Sequence, residues 1–195
     1  GADVVASYAR DFPDRIRAAY IDGAVSLPDG PSLVAAERVG RNFELFADWC
    51  EATPECALHG EDVRRLWHDL TERANRSPIP ANSARFGAVE LTGTQLHFMV
   101  PGWADPGEDH ANWHALAEGI ARARDGDASA LADFFLINAA GRSMPLIMAM
   151  HCADGSDVDY SSFMRRVDEV KRVNPYTYGS FMVSIVCGAW PVPVA

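Results

Sequence analysis

One short β-like run governs what this chain can fold into. Ile16-Arg17-Ala18-Ala19-Tyr20-Ile21 closes on Asp22-Gly23. It follows a segment in which Val4, Val5, Tyr8 and Phe12 recur at helical spacing until Pro13 ends the run. A helix feeding a buried strand is half of a parallel α/β unit. After Leu27-Pro28-Asp29-Gly30-Pro31 the pattern turns helical for more than 100 residues. A lone strand is not a sheet, so its neighbours are missing or lie far along the chain.

The helical stretch divides at its turn residues. Ser32 is placed to cap a helix from Leu33 to about Cys50, with Val34, Val39, Phe43, Phe46 and Trp49 as apolar positions. Glu61 to Ala74 is a second helix carrying Val63, Leu66, Trp67 and Leu70, and Ser77-Pro78-Ile79-Pro80 reads as a linker. Thr92 to Met99 is a third, weakened by β-branched and aromatic residues. Trp113 to Arg124 repeats apolar residues at Trp113, Leu116, Ala117 and Ile120, and Ala128 to Phe135 follows. The apolar run Pro145 to Cys152 fits a buried helix end or a short strand, and periodicity leaves both open. Tyr160 to Val173 is helical. Phe181 to Val186 then leads into a Pro-rich, extended tail. No internal repeat is present.

With 195 residues the chain has room for one domain, or one and a fraction. Its net charge of −10, from 27 acidic against 17 basic residues, argues against nucleic acid or an anionic membrane surface as a partner. No apolar run reaches the ~20 residues of a membrane span. Gly1-Ala2-Asp3 has neither a basic nor an apolar leader region, so the chain reads as mature, cytosolic or a piece of something longer. Four cysteines permit two disulfides of unspecified connectivity, free core thiols or a metal site. The spacing opposes metal: Cys50 and Cys56 lie six apart rather than in a knuckle, and Cys152 and Cys187 are isolated.

The N-terminal pieces resemble an α/β-hydrolase just after its nucleophile elbow. Gly1 through Ala9 would follow the reactive serine, Phe12-Pro13-Asp14-Arg15-Ile16 would be the turn, and Tyr20-Ile21-Asp22-Gly23 the strand end. Further along, Phe46-Ala47-Asp48-Trp49-Cys50 with Pro54-Glu55-Cys56, the Ala121–Asp127 junction, Met148–Gly155 and Cys187-Gly188-Ala189-Trp190-Pro191 resemble, in order, the secreted tripeptidyl aminopeptidase-like hydrolases of actinobacteria. The stretch Pro78 to Pro106 matches least well.

This resemblance implies an α/β fold: a partial hydrolase core of one helix and one strand (1–27), a mainly helical cap (28–180) and a return segment toward the core (181–195). It implies a secreted serine hydrolase that releases short peptides from free N-termini. Its nucleophile, acid and catalytic histidine would lie outside this chain, so no catalytic residue is assigned within it and the chain alone should be inert. No cofactor or metal is expected. The expected partners are the remaining core segments or chains, with a peptide or small ester as substrate. An esterase or epoxide-type hydrolase with the same core is one alternative. A helical binding module with no triad is another.

The chemistry-bearing residues sort accordingly. No serine sits in a G-x-S-x-G turn. His59, His68, His110 and His114 read as solvated, and the His110/His114 pair lacks the glutamate of a zinc-binding HExxH. His97, in an apolar stretch, reads as a core or pocket-wall residue. His151, in a segment that borders the cleft in the resembled family, is the best histidine for substrate contact. Asp154 is the carboxylate suited to hold a substrate's protonated amine by a charge-assisted bond. Trp103, beside Gly102, is a pocket-wall candidate, whereas Trp49, Trp67, Trp113 and Trp190 read as packing. Asp22, at a strand's C-terminal end, is either a turn cap or an acid position.

The expected disulfides are Cys50–Cys56 and Cys152–Cys187. A turn-forming Ala52-Thr53-Pro54-Glu55 bridge brings the first pair within the ~4.4–6.8 Å between Cα atoms that a disulfide needs. The second pair follows two apolar runs expected to pack together. Disulfides would place the protein in an oxidising, extracellular setting.

Overall fold

The structure, a computed structural model, describes residues 2–22, 33–99, 110–132, 149, 152 and 160–178. Its described elements are α1 (Ala2–Asp11), a 3₁₀ turn (Pro13–Arg15), α2 (Leu33–Ala52), α3 (Val63–Arg76), β1 (Ile79–Ser83), β2 (Gly87–Leu91), α4 (Gly93–Met99), α5 (Ala111–Arg124) and α6 (Tyr160–Val173). The described part is thus mostly helical with one small sheet, compatible with a partial α/β architecture. None of its helices is long and apolar enough to cross a membrane.

Each long helix buries one stripe at helical spacing. On α2 the buried positions are Ala36, Gly40, Phe43, Phe46, Ala47 and Cys50. On α3 they are Val63, Trp67, Leu70, Thr71 and Ala74. Trp113, Leu116, Ala117, Ile120 and Ala123 form the stripe of α5, and Phe163, Val167 and Val170 that of α6. These stripes close a core in which Phe43, Phe46, Trp67, Leu96, Leu116 and Ile120 are fully buried. At roughly 1.5–3 kcal/mol per large side chain, such burial is the main force holding the bundle.

Ion pairs and caps fix the helix ends. Arg64 on α3 reaches Glu44 (2.5 Å), Asp48 (2.5 Å) and Glu51 (2.9 Å), which share one face of α2. The Asp62 side chain caps α3 by accepting from the Arg65 amide at 2.9 Å. Arg73 donates to the last-turn carbonyls of α5, Ala123 at 3.2 Å and Arg124 at 2.8 Å. Thr92 and Gln95 exchange side-chain-to-amide bonds at the start of α4, a capping box.

The sheet corrects two expectations. Ser77 to Pro80, read as a linker, runs into β1, which pairs antiparallel with β2 in the register Ile79↔Leu91, Ala81↔Val89, Ser83↔Gly87. The Pro80 ring hides this strand from sequence reading, because proline is expected only at edges. β1 is such an edge: Pro80 O points outward to accept from the Ala128 amide (2.9 Å), and the outward Asn82 amide donates to Ser129 Oγ (2.8 Å). Alternation does the rest, burying Ile79, Ala81 and Ser83 while exposing Pro80 and Asn82.

The second correction is the strand at Ile16–Ile21. These residues are not a strand, and Tyr20 is 90% exposed. The physical reason is that a strand needs a neighbour for its amides, and none of the described residues pairs with this segment. The expected parallel pairing is therefore absent from the described residues, where the one sheet is an antiparallel hairpin. α1 forms as expected, but Val4 (70% exposed), Tyr8 and Phe12 remain open to solvent.

The Cys50–Cys56 disulfide is formed, with its Cα atoms 5.2 Å apart and both residues buried. It joins the end of α2 to the turn before α3. Replacing both cysteines by alanine should cost about 2 kcal/mol, the chain-entropy value for so short a loop. Urea unfolding measures this, and an unchanged midpoint would show that the turn holds itself.

Candidate functional site

Asp154, His151 and Trp103, the expected substrate-contacting residues, lie outside the described residues, as do Cys187 and the capping Ser32. Cys152 is described: it is buried and disulfide-bonded. Asp22 is exposed and ends no strand. Among the described residues no histidine hydrogen-bonds a serine, a cysteine or a carboxylate. No cluster of three or more potential metal ligands occurs among them either. The described part therefore contains no charge-relay arrangement of the kind nucleophilic catalysis needs.

Its most organised polar feature is a buried node around His97. The turn after α6 carries Asn174 and Thr177, both fully buried. Asn174 Nδ2 donates to Thr177 Oγ1 (2.6 Å), and the Thr177 amide donates to Asn174 Oδ1 (3.0 Å). Gly40 on α2 leaves room for this turn, since a Cβ there would sit 3.1 Å from the Asn174 side chain. Between the two residues, the Tyr176 carbonyl accepts from Trp67 Nε1 of α3 at 2.7 Å and meets His97 Nδ1 of α4 at 2.5 Å. Nδ1 is consequently the protonated nitrogen of a neutral ring.

His97 is 4% exposed and sits between the rings of Trp67 (6.0 Å) and Tyr178 (4.3 Å). Burial pushes its pKa down to about 4, against a partial upward pull from the Tyr176 carbonyl. The expectation of a core or pocket-wall histidine is thus met as a core residue. Its carbonyl partner, 79 residues away, carries no sequence signal.

A second aromatic group lies where α2 ends and α5 begins. His110 stacks on Trp49 at 5.5 Å and 8°, and His114 meets the same ring edge-on at 4.8 Å. Trp113 packs against Trp49 at 5.4 Å from the buried side. Both histidines are exposed, as expected, yet each is held by a ring contact. His110 has φ 58°, a left-handed conformation uncommon outside glycine, and starts α5 without a side-chain cap.

No protein-family model matches the chain. Serine protease Hip1 of Mycobacterium tuberculosis is 25% identical over 211 aligned positions, which cover 99% of this chain and 40% of that protein. The Mycobacterium bovis protein of the same name gives the same figures. YuaR of Escherichia coli, a predicted hydrolase, is 30% identical over 86 positions, 40% of this chain and 17% of its own length. The chain spans about two-fifths of the length of the mycobacterial relatives. What it resembles across nearly its whole length is thus one portion of a serine protease, with a shorter likeness to a hydrolase.

Proposed function

We propose that this chain is the cap and substrate-cleft portion of a secreted serine hydrolase, of the type that releases short peptides from free N-termini. The observation that carries the reading is the alignment of 99% of the chain with 40% of a serine protease. The likeness to a predicted hydrolase supports hydrolysis as the general activity. In this reading Asp154 holds the substrate's ammonium, while His151 and Trp103 line the cleft. A carboxylate in a water-poor cleft suits the first role because a charge-assisted bond strengthens as water is excluded.

The exposed apolar residues of the N-terminal segment support a larger assembly. Val4, Tyr8, Phe12 and Tyr20 stand in solvent while the helical core is closed. The occupant of that face is the remaining hydrolase core, which supplies nucleophile, acid and histidine. The Cys50–Cys56 bridge accords with an oxidising compartment.

The test has two arms. The isolated 195-residue chain should not hydrolyse aminoacyl or tripeptidyl chromogenic substrates or chromogenic esters above the buffer rate. Turnover abolished by a serine-directed reagent would overturn the assignment of this chain as a cap. The natural polypeptide carrying this sequence, captured by antibody from its host, should label with a fluorophosphonate. Failure to label would remove the hydrolase reading and favour a binding module.

A further inference from the structure

We propose that His97 makes the 174–178 turn an acid-releasable latch: on acidification the imidazole charges and leaves its site, and the turn detaches from α3 and α4 while the rest of the helical core stays folded. The latch stands on geometry. The Tyr176 carbonyl takes the side-chain bonds that tie this turn to α3 and α4, from Trp67 and from His97, while the Tyr176 side chain bonds Glu44 and stacks on Phe43 of α2. The Nδ1 proton is committed to that carbonyl. A second proton must therefore go on Nε2, for which no acceptor stands among the described residues.

Burial is the main force against that second proton, and the charges around the ring act in both directions, the largest of them in its favour. From α3, Glu72 favours the imidazolium and His68 opposes it; from α6, Lys171 opposes it. The Lys171 ammonium sits 4.8 Å from the centroid of Tyr178, the ring that covers His97. Tyr178 itself is neutral at these pH values, its pKa raised by burial and by Glu72. A charged ring buried against Trp67 and Tyr178 donates no hydrogen bond to a carboxylate among the described residues, and desolvation makes its favourable state the opened one.

The sign follows from the two protonation states. The closed site binds its proton with a pKa of about 4, and an opened, solvated histidine at about 6.5. Opening therefore takes up a proton between these values and becomes easier as pH falls through that window. Well above about pH 6.5 this proton no longer contributes to opening, which becomes independent of pH.

Hydrogen exchange by NMR on the full chain reads this directly. The protected groups are the Thr177 amide and the Trp67 indole N–H. Corrected for intrinsic exchange, their opening constant should rise about thirtyfold from pH 7.5 to pH 5.0. The α5 amides from Leu116 to Ala123 should change less than threefold, roughly the scatter between sites. His97→Gln can still donate to the carbonyl and does not titrate, so it should abolish the rise. If that variant does not fold, the ring-proton titration of His97 in the natural chain decides. A flat Thr177 profile, an equal rise throughout α5, a thirtyfold rise retained in His97→Gln, or His97 titrating at the free-imidazole value of about 6.5 would each overturn the latch.

Discussion

Gly93→Ala should destabilise the chain by about 3 kcal/mol or more, against a usual gain of about 1 kcal/mol for the same change inside a helix. The two effects have opposite sign, and distance decides between them. A Cβ on Gly93 would lie 2.0 Å from the Thr71 carbonyl oxygen, 2.7 Å from its carbon and 2.9 Å from Asn75 Cγ. The obstacle is α3 backbone, which cannot rotate aside as a side-chain tip can. α4 would have to move off α3, breaking the Thr94 amide bond to Asn75 Oδ1 (2.9 Å) and opening the seats of Leu96 and His97. Gly119→Ala is the control. Its new methyl meets the flexible Leu131 Cδ2 at 2.6 Å and should cost about 1 kcal/mol, because that side chain can turn. Urea midpoints of the two variants should separate widely. Equal midpoints would show that α3 and α4 are not in this register.

Trp67→Ala carries the next largest expected effect, a loss of about 3–5 kcal/mol. The indole is fully buried, packs against Phe43 at 5.8 Å and His97 at 6.0 Å, and donates to Tyr176. Trp67→Phe separates the contributions. It keeps part of the ring packing and removes the N–H. The Tyr176 carbonyl retains His97 as a donor, so no buried acceptor is stranded. The phenylalanine variant should therefore lose only about 1–2 kcal/mol. Calorimetric unfolding of the two proteins tests this, and a phenylalanine variant as unstable as the alanine one would show that the hydrogen bond, not the packing, dominates.

Elements that fold on their own periodicity were legible in the sequence. α6 runs from Tyr160 to Val173 as its apolar spacing indicates. α2, α3 and α5 match their expected cores within a turn or less at each end. Elements that exist only by pairing were not. Ile16–Ile21 has the composition of a strand but finds no partner among the described residues. Ile79–Ser83 has a proline at its second position and a polar end, yet pairs with β2 because its outward edge is satisfied by Ala128 and Ser129. The Thr92–Gln95 box was a readable start for α4 that hydrophobic spacing alone did not use.

Of the candidate site, Cys50–Cys56 was legible because a six-residue separation is local geometry. The His97 node was half legible. Its burial follows from apolar neighbours, whereas its acceptor depends on how α6 meets α3 and α4. Asp154 and His151 rest on family resemblance and Trp103 on its place beside Gly102, none of them on periodicity. The left-handed start of α5 at His110 had no signal either: Pro106-Gly107 marks a turn, but nothing in it places the positive φ on a histidine three residues later.

The shared Tyr176 carbonyl also sets an order of assembly. Its two donors lie 109 and 79 residues earlier in the chain. The β1–β2 hairpin and the α3–α4 contact, by comparison, span about twenty residues or fewer. Closing long loops costs entropy before any bond compensates, so contacts of this separation form late. The α6 turn should therefore be the last part of this core to dock. Substitutions there should speed unfolding while leaving the folding rate nearly unchanged.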